Sequence, residues 1–292
     1  MFKFLFKTNL FIAFAAVAFL WSNIFLLKLD NNYFVILSLQ VFFSAWFIYQ
    51  YSRWVYYKKG NYPTDEDEFI LWFKKHPHFN RFTLFLSFVL SLGLAFFLNI
   101  QTLLLLLFIG GISILYPLAV LSPIGLTTRL RDIPLLKIFL IAFVWSFTSV
   151  LLPVLECGKS VAESRDIYPL LFLQFIFIVF ICLPFDINDL RSDYNKGLKT
   201  IPVIFGIKTT KIIMLLLGGV YLLGLFFWFL YFTHSMIIVL PFFLMLCLLI
   251  FFLQWFAWYK SEYVKKWQIS VVYDGSMVIY FFCILFLKLR FV

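Results

Sequence analysis

Charge is what this sequence has least of. Only 13% of its 292 residues are Asp, Glu, Lys or Arg, against 64% hydrophobic residues, and its mean hydropathy is +0.99. A water-soluble globule of this length has no interior large enough for so much apolar side chain, which excludes an ordinary soluble domain. Cysteine and histidine are scarce as well, at four and three residues. No CxxC pair and no ligand spacing joins them, so neither a disulfide framework nor a zinc site is expected; Cys157, Cys182, Cys247 and Cys283 read as small apolar fillers. No stretch rich in Gly, Ser or Pro interrupts the chain, and composition does not shift along it. A single domain over residues 1–292 is therefore expected.

What is present is a series of long apolar runs. A spanning helix needs about 20 mainly apolar residues, because the hydrocarbon core is roughly 30 Å thick and each residue rises about 1.5 Å. Nine windows qualify: residues 9–29, 33–57, 81–99, 101–121, 134–155, 167–185, 211–232, 235–257 and 268–288. Barrel strands would be about 10 residues long with alternating polarity, so the pattern predicts an all-α polytopic membrane protein, a bundle of about nine transmembrane helices. Lys3 and Lys7 ahead of an apolar run also resemble a secretory leader. That run, however, extends to Leu27, long enough to span. With the N-terminus cytoplasmic, 19 Lys and Arg residues fall on the cytoplasmic side and 5 on the other, the asymmetry of an inner-membrane protein. The net charge of +10 then belongs to topology and anionic membrane lipids, and leaves no role for nucleic acid.

Against that background the stretch FDINDLRSDYNKGLKTIPVIFG, residues 185–206, stands out. Asp186, Asp189 and Asp193 recur at i, i+3 and i+7, which on one helix confines them to an arc of about 60°. Three carboxylates on one face repel one another unless a cation sits among them. Mg²⁺ suits the position, since it takes one or two carboxylates together with waters and phosphate oxygens. Pro184, just upstream, is expected to perturb the helix end and splay it.

Asp186, Asp189, Asp193, Gly197, Lys199, Thr200, Pro202 and Gly206 together resemble the second aspartate-rich motif of the UbiA-type intramembrane prenyltransferases. A softer likeness lies in the run from Leu115 to Trp145, where Tyr116, Arg131 and Lys137 fall where that family has tyrosine and basic residues facing a diphosphate. The resemblance implies a helical bundle around a central cavity and a transferase that moves a polyprenyl group from its diphosphate to a lipophilic, commonly aromatic, acceptor. It further implies Mg²⁺ held by Asp186, Asp189 and Asp193 on the cytoplasmic side. Arg131, Lys137 and Lys199 would offset the charge of departing pyrophosphate. Arg53, Arg191 and Lys196 would bind the diphosphate head, and Tyr116 and Trp145 offer rings to an allylic cation.

The family's first aspartate-rich motif, at the cytoplasmic end of the second span, is missing. There the chain reads YQYSRWVYYKKG, and aligning it with DINDLRSDYNKG sets Tyr49, Ser52 and Tyr56 opposite the three aspartates. Asp65, Glu66, Asp67 and Glu68 follow Thr64 as ordinary acids of a first helical turn. The guanidinium of Arg53 is a candidate to stand in for one Mg²⁺. Two other readings stay open: a family member that binds a lipid diphosphate without turnover, and a transporter. The latter would place its polar groups near the bilayer midplane rather than at helix ends.

Overall fold

The computed structural model describes residues 2–30, 34–58, 68–118, 133, 135–161, 166–195, 197–233, 236–260 and 264–291. With no water in the bilayer core, backbone amides must be satisfied within the chain, and long apolar segments meet that demand as helices. The helices are α1 Phe2–Lys7, α2 Leu10–Leu26, α3 Phe34–Lys58, α4 Glu68–Lys75, α5 Pro77–Ala95, α6 Ile100–Leu115, α7 Leu136–Ser146, α8 Leu152–Glu156, α9 Ile167–Asn188, α10 Leu190–Asn195, α11 Ile201–Thr233, α12 Met236–Tyr259 and α13 Lys266–Phe291. A π-helical turn, Phe147–Leu151, joins α7 to α8 in one rod. Pro153 explains the turn: a proline here cannot donate to the carbonyl four residues back and its ring crowds it, and the widened turn bonds the Leu152 amide to the Phe147 carbonyl instead. Among the described residues seven rods are long and apolar enough to cross a membrane; α2 and α6, at 17 and 16 residues, are shorter apolar helices. All nine expected spans therefore have a helical counterpart.

One expected boundary moves slightly. A short helix from Ile201 leads into the span placed at 211–232, and a kink at Gly206 separates the two, so the span itself runs from residue 207. Pro202 suits a first helical turn, and Gly206 breaks the helix at φ 79°, ψ 163°, a conformation open to glycine. Lys211, which looked like a loop cation, is buried and donates through Nζ to the Trp258 carbonyl at 3.1 Å.

Helix contacts close a ring. They run from α2 to α3, α6, α7, α9, α11, α12 and α13 and return to α2, with α5 packed outside on α3. Hydrocarbon tails are as apolar as leucine, so van der Waals fit rather than water expulsion brings these helices together. Small residues permit it. Ala13, Ala15 and Ala16 of α2 are buried, and a Cβ at Gly224 of α11 would stand 2.4 Å from Cδ2 of Leu173 on α9.

Contacts at the two ends agree with alternating spans. At one end, called here the aspartate end, Lys137 meets Asp186, Asp189 meets Lys266, and Asn188 donates to the Val264 carbonyl at 3.1 Å. At the far end Asn99 bonds Glu156, and the Trp228 indole donates to the Asp166 carbonyl. Toward the far end the ring is filled by Phe19, Phe177, Tyr221 and Tyr280, all at most 1% exposed, with ring centroids 5.0–6.5 Å apart. Nearer the aspartate end Tyr49, Cys182 and Asp274 keep accessible surface within the ring.

Candidate functional site

The site grows from the end of α9. Asp189 caps that helix in an αR conformation, and the Asp193 amide bonds the Asp189 carbonyl at 2.8 Å, so α10 continues the helical path and keeps Asp186 and Asp193 nearly in line. The chain then reverses through Gly197 at φ 68°. The Leu198 amide reaches the Asp193 carbonyl at 2.9 Å and the Gly197 amide reaches the Tyr194 carbonyl at 3.0 Å. That pair of bonds is a Schellman close, which needs the left-handed residue that glycine supplies. Thr200 next opens α11, its carbonyl accepting from the Ile204 amide at 3.0 Å. The spaced glycine, threonine and proline of the motif thus bend the chain so that the residues after Asp193 fold back beside Asp186.

The start of α7 meets this bend. Leu135, at φ 61°, bonds through its amide to the Lys199 carbonyl at 3.4 Å, and two residues on, Lys137 directs Nζ to Asp186 Oδ1 at 2.5 Å and to Asp193 Oδ2 at 3.9 Å. Asp186 and Asp193 are buried, with side chains 5% and 4% exposed. Asp189 turns the other way and pairs with Lys266 of α13 at 2.9 Å. Of the three aspartates, the structure therefore turns two to one point and the third to a neighbouring helix. Among the described residues no group of three His, Cys, Asp or Glu side chains converges as a metal cage. Ile138, Leu198, Lys199, Thr200 and Ile201 complete a narrow pocket around Lys137 and Asp186. In it Thr200 Oγ1 is buried without a hydrogen-bond partner.

Below this mouth is a hollow. Tyr49, Cys182 and Asp274 are enclosed by protein on all sides, yet each retains open surface, so they line a space inside the ring. Cys182 lies within electrostatic range of Asp186, Asp274 and Lys137. Tyr49 lies within range of Asp274, Cys182 and Tyr116, and its hydroxyl is hydrogen-bonded to Trp145, whose indole N–H must be the donor. Tyr116 and Trp145, expected to offer rings, thus share the neighbourhood of Tyr49. Asp274 was missed by the sequence reading. The available signal was a lone carboxylate in the middle of an apolar run, VVYDGSMVIY, which is costly unless it faces a cavity.

The remaining expected residues divide. Arg53 donates from Nη1 to the Lys7 carbonyl at 3.0 Å, beside Trp46 and Gln50, which bond the Thr8 carbonyl. These contacts hold the bend between α1 and α2 made by Asn9 at φ 60°. Arg191 and Lys199 are exposed at the aspartate end. Arg131, Lys196 and the acids Asp65, Glu66 and Asp67 lie outside the described residues.

Comparison with known proteins follows the same outline. The profile of the UbiA prenyltransferase family matches residues 76–282, beginning after α3, the helix whose end lacks carboxylates. Among solved structures, the apo form of a UbiA homologue from Aeropyrum pernix K1 has a TM-score of 0.70 at 14% identity, covering 94% of this chain and 98% of that one. A UbiA homologue from Archaeoglobus fulgidus bound to DMAPP and Mg²⁺ has a TM-score of 0.61 at 15% identity over 97% and 99% of the two chains; the same homologue bound to GPP and Mg²⁺ gives 0.62 at 15% over 96% and 98%. At such identities the likeness is one of fold. No curated protein sequence matches the chain.

Proposed function

The chain belongs to the UbiA prenyltransferase family, and from that premise we propose that it works as one intramembrane domain that transfers a prenyl group from its diphosphate to a lipophilic or aromatic acceptor with the help of Mg²⁺. The observation that carries this reading is the joint placement of Lys137, Asp186 and Asp193 at the mouth of an internal hollow. The two buried carboxylates already share one cation, and Mg²⁺ uses the same donors, one or two carboxylates with phosphate oxygens supplying the rest. Asp186 and Asp193 would hold it, with Asp189 joining them once parted from Lys266. Bound there, Mg²⁺ supplies positive charge to the oxygens of the leaving pyrophosphate.

The chain's own residues do the rest. Lys137 and Lys199 offset negative charge as the C1–O bond opens, with Arg191 adding to the positive field from the same end, where the N-terminus and the motif face the cytoplasm; Arg131 and Lys196, outside the described residues, keep the diphosphate-binding roles the family resemblance implies. Thr200 offers a hydroxyl to the head. Trp145, Tyr116 and Tyr49 would offer rings deeper in the bundle, where cationic character on the prenyl carbon is stabilised by about 0.5–2 kcal/mol. The ring of helices keeps water from that carbon.

The test is pyrophosphate release from geranyl diphosphate by the full-length chain in nanodiscs with a panel of phenolic acceptors. Release with product formation, abolished by EDTA and reduced about 100-fold by Asp186→Asn, is the expected result. Mg²⁺-dependent binding of geranyl diphosphate without release would refute transfer. It would favour the second reading, a lipid-diphosphate binder, for which the loss of carboxylates at Tyr49, Ser52 and Tyr56 is the supporting observation.

A further inference from the structure

Asp274 has no part in the chemistry described so far, and it is the one carboxylate among the described residues that stands inside the hollow rather than at its mouth. Eight residues separate it from Lys266 along α13, about 12 Å at the helical rise. Cys182, within its electrostatic range, is one turn of α9, about 6 Å, deeper than Asp186. Asp274 therefore lies deeper in the bundle than the groups that would bind a diphosphate, on the side toward which a prenyl chain would extend.

Its surroundings are those of a receptor rather than of a packing residue. Ser270, one turn earlier on α13, donates its hydroxyl to Oδ2. Tyr49 and Cys182 lie within its electrostatic range. Lys137, the nearest base these contacts identify, is engaged with Asp186 and Asp193 at the mouth. A carboxylate kept in a membrane interior with a single hydroxyl on one oxygen is costly unless a ligand completes it.

Resting on the transferase reading above, we propose that Asp274 receives the acceptor. It takes a hydrogen bond from a neutral hydroxyl group and then accepts that group's proton. In the step, the C1–O bond of the prenyl diphosphate breaks with its electron pair leaving on pyrophosphate, the acceptor's nucleophilic atom forms the new bond to C1, and the hydroxyl proton passes to the Asp274 carboxylate. The acceptor class follows from charge. A neutral phenol or alcohol fits a site walled by Asp274 below and a diphosphate above, whereas an aromatic acid would set a second carboxylate against Asp274.

The experiment uses the full-length chain in nanodiscs, with equilibrium binding of 1-naphthol, of 1-hydroxy-2-naphthoate and of geranyl diphosphate with Mg²⁺. The wild type should bind 1-naphthol at least about tenfold more tightly than the acid, a gap of about 1.4 kcal/mol. Asp274→Asn should erase that preference, Asp274→Glu should keep it, and geranyl diphosphate affinity should stay unchanged in both. Ser270→Ala, a second variant that leaves the carboxylate in place, should weaken 1-naphthol binding less than Asp274→Asn does. In the transfer assay Asp274→Asn should lower kcat about 100-fold, within the usual range for a lost general base, with Asp274→Glu restoring part of it. An undiminished preference in Asp274→Asn, no 1-naphthol binding by the wild type, or a parallel loss of geranyl diphosphate affinity would overturn the proposal. Failure of the transferase reading looks different: pyrophosphate release is then absent from the wild type while the naphthol preference and its dependence on Asp274 persist.

Discussion

Replacing Lys137 by methionine gives the most direct check of how the mouth is held together. The ammonium stands 2.5 Å from Asp186 and 3.9 Å from Asp193, and the three side chains are 16%, 5% and 4% exposed. Methionine keeps most of the aliphatic stem, so the change isolates the charge. Two buried carboxylates then lose the ammonium they share. At an effective dielectric of about 20, a unit pair at 4 Å is worth about 4 kcal/mol, and breaking a buried pair by removing one partner typically costs about 3–5 kcal/mol. We expect about 3 kcal/mol, the low end, because one carboxyl can take up a proton. Melting followed by circular dichroism in detergent with EDTA measures it. A double-mutant cycle with Asp186→Asn should return a coupling of about 2 kcal/mol, since the second loss removes the charge the first one stranded. Mg²⁺ should stabilise Lys137→Met by about 2.7 kcal/mol at a hundredfold excess over its Kd, and the wild type by less. Additivity within about 0.5 kcal/mol, together with an unaltered Mg²⁺ response, would refute both the pairing and the inference that a metal uses the same donors.

Two further substitutions probe the scaffold. Gly224→Ala should lower stability by about 1–3 kcal/mol, because its Cβ would meet Leu173 at 2.4 Å; Gly219→Ala, with nothing within 4 Å, should be neutral or slightly stabilising through helix propensity. Equal melting temperatures for the two would mean that α9 and α11 do not approach as closely as described. Arg53→Ala should cost about 1–2 kcal/mol by stripping a donor from the Lys7 carbonyl. Geranyl diphosphate affinity should hold, whereas a fall in affinity with Mg²⁺ dependence altered would put Arg53 on the diphosphate head.

The spans were legible because hydrocarbon imposes a length and an apolar threshold that a single sequence displays directly. The four-residue shift in where the span of α11 begins has the same origin. Lys208 and Lys211 look like loop residues to any hydropathy window, yet Lys211 is accommodated inside the bundle by a backbone carbonyl on α12, a tertiary fact with no local signature. At the site, spacing put Asp186 and Asp193 on one face, and they do meet one cation; the intervening Asp189, displaced about 60° around the helix axis, was within reach of α13 and went to Lys266. Sequence could not tell these fates apart, because Lys137 and Lys266 come from helices 49 residues before Asp186 and 77 after Asp189. Arg53 was assigned by its place beside Ser52 in a repeat-like alignment, but one of its guanidinium nitrogens holds the bend at Lys7. Asp274 was legible in principle, as a charge in an apolar run, but a lone acid carries no spacing that says what it faces.

The missing first motif need not leave the diphosphate unbalanced, and simple charge arithmetic says why. Two carboxylates and the Mg²⁺ they hold sum to zero, so losing them together leaves the net charge presented to a substrate unchanged. What such a site supplies is position, a rigid point that grips phosphate oxygens. At the same end of α3 this chain offers hydroxyls and rings instead, with Tyr49 fixed by Trp145, and the negative charge inside the bundle sits on α13 as Asp274. The consequence concerns the order of binding. If the proposed transfer is right, with one carboxylate pair at the mouth among the described residues, paired with Lys137, the diphosphate would bring or follow the Mg²⁺ that displaces that ammonium, and Asp274 would lie deeper along the same path. Head-first entry of the diphosphate from the aspartate end would therefore close the acceptor's route from that end. An acceptor that binds Asp274 should then either precede the prenyl diphosphate or arrive through the bilayer, and lipophilic hydroxyl compounds, which partition there, have the second route open to them.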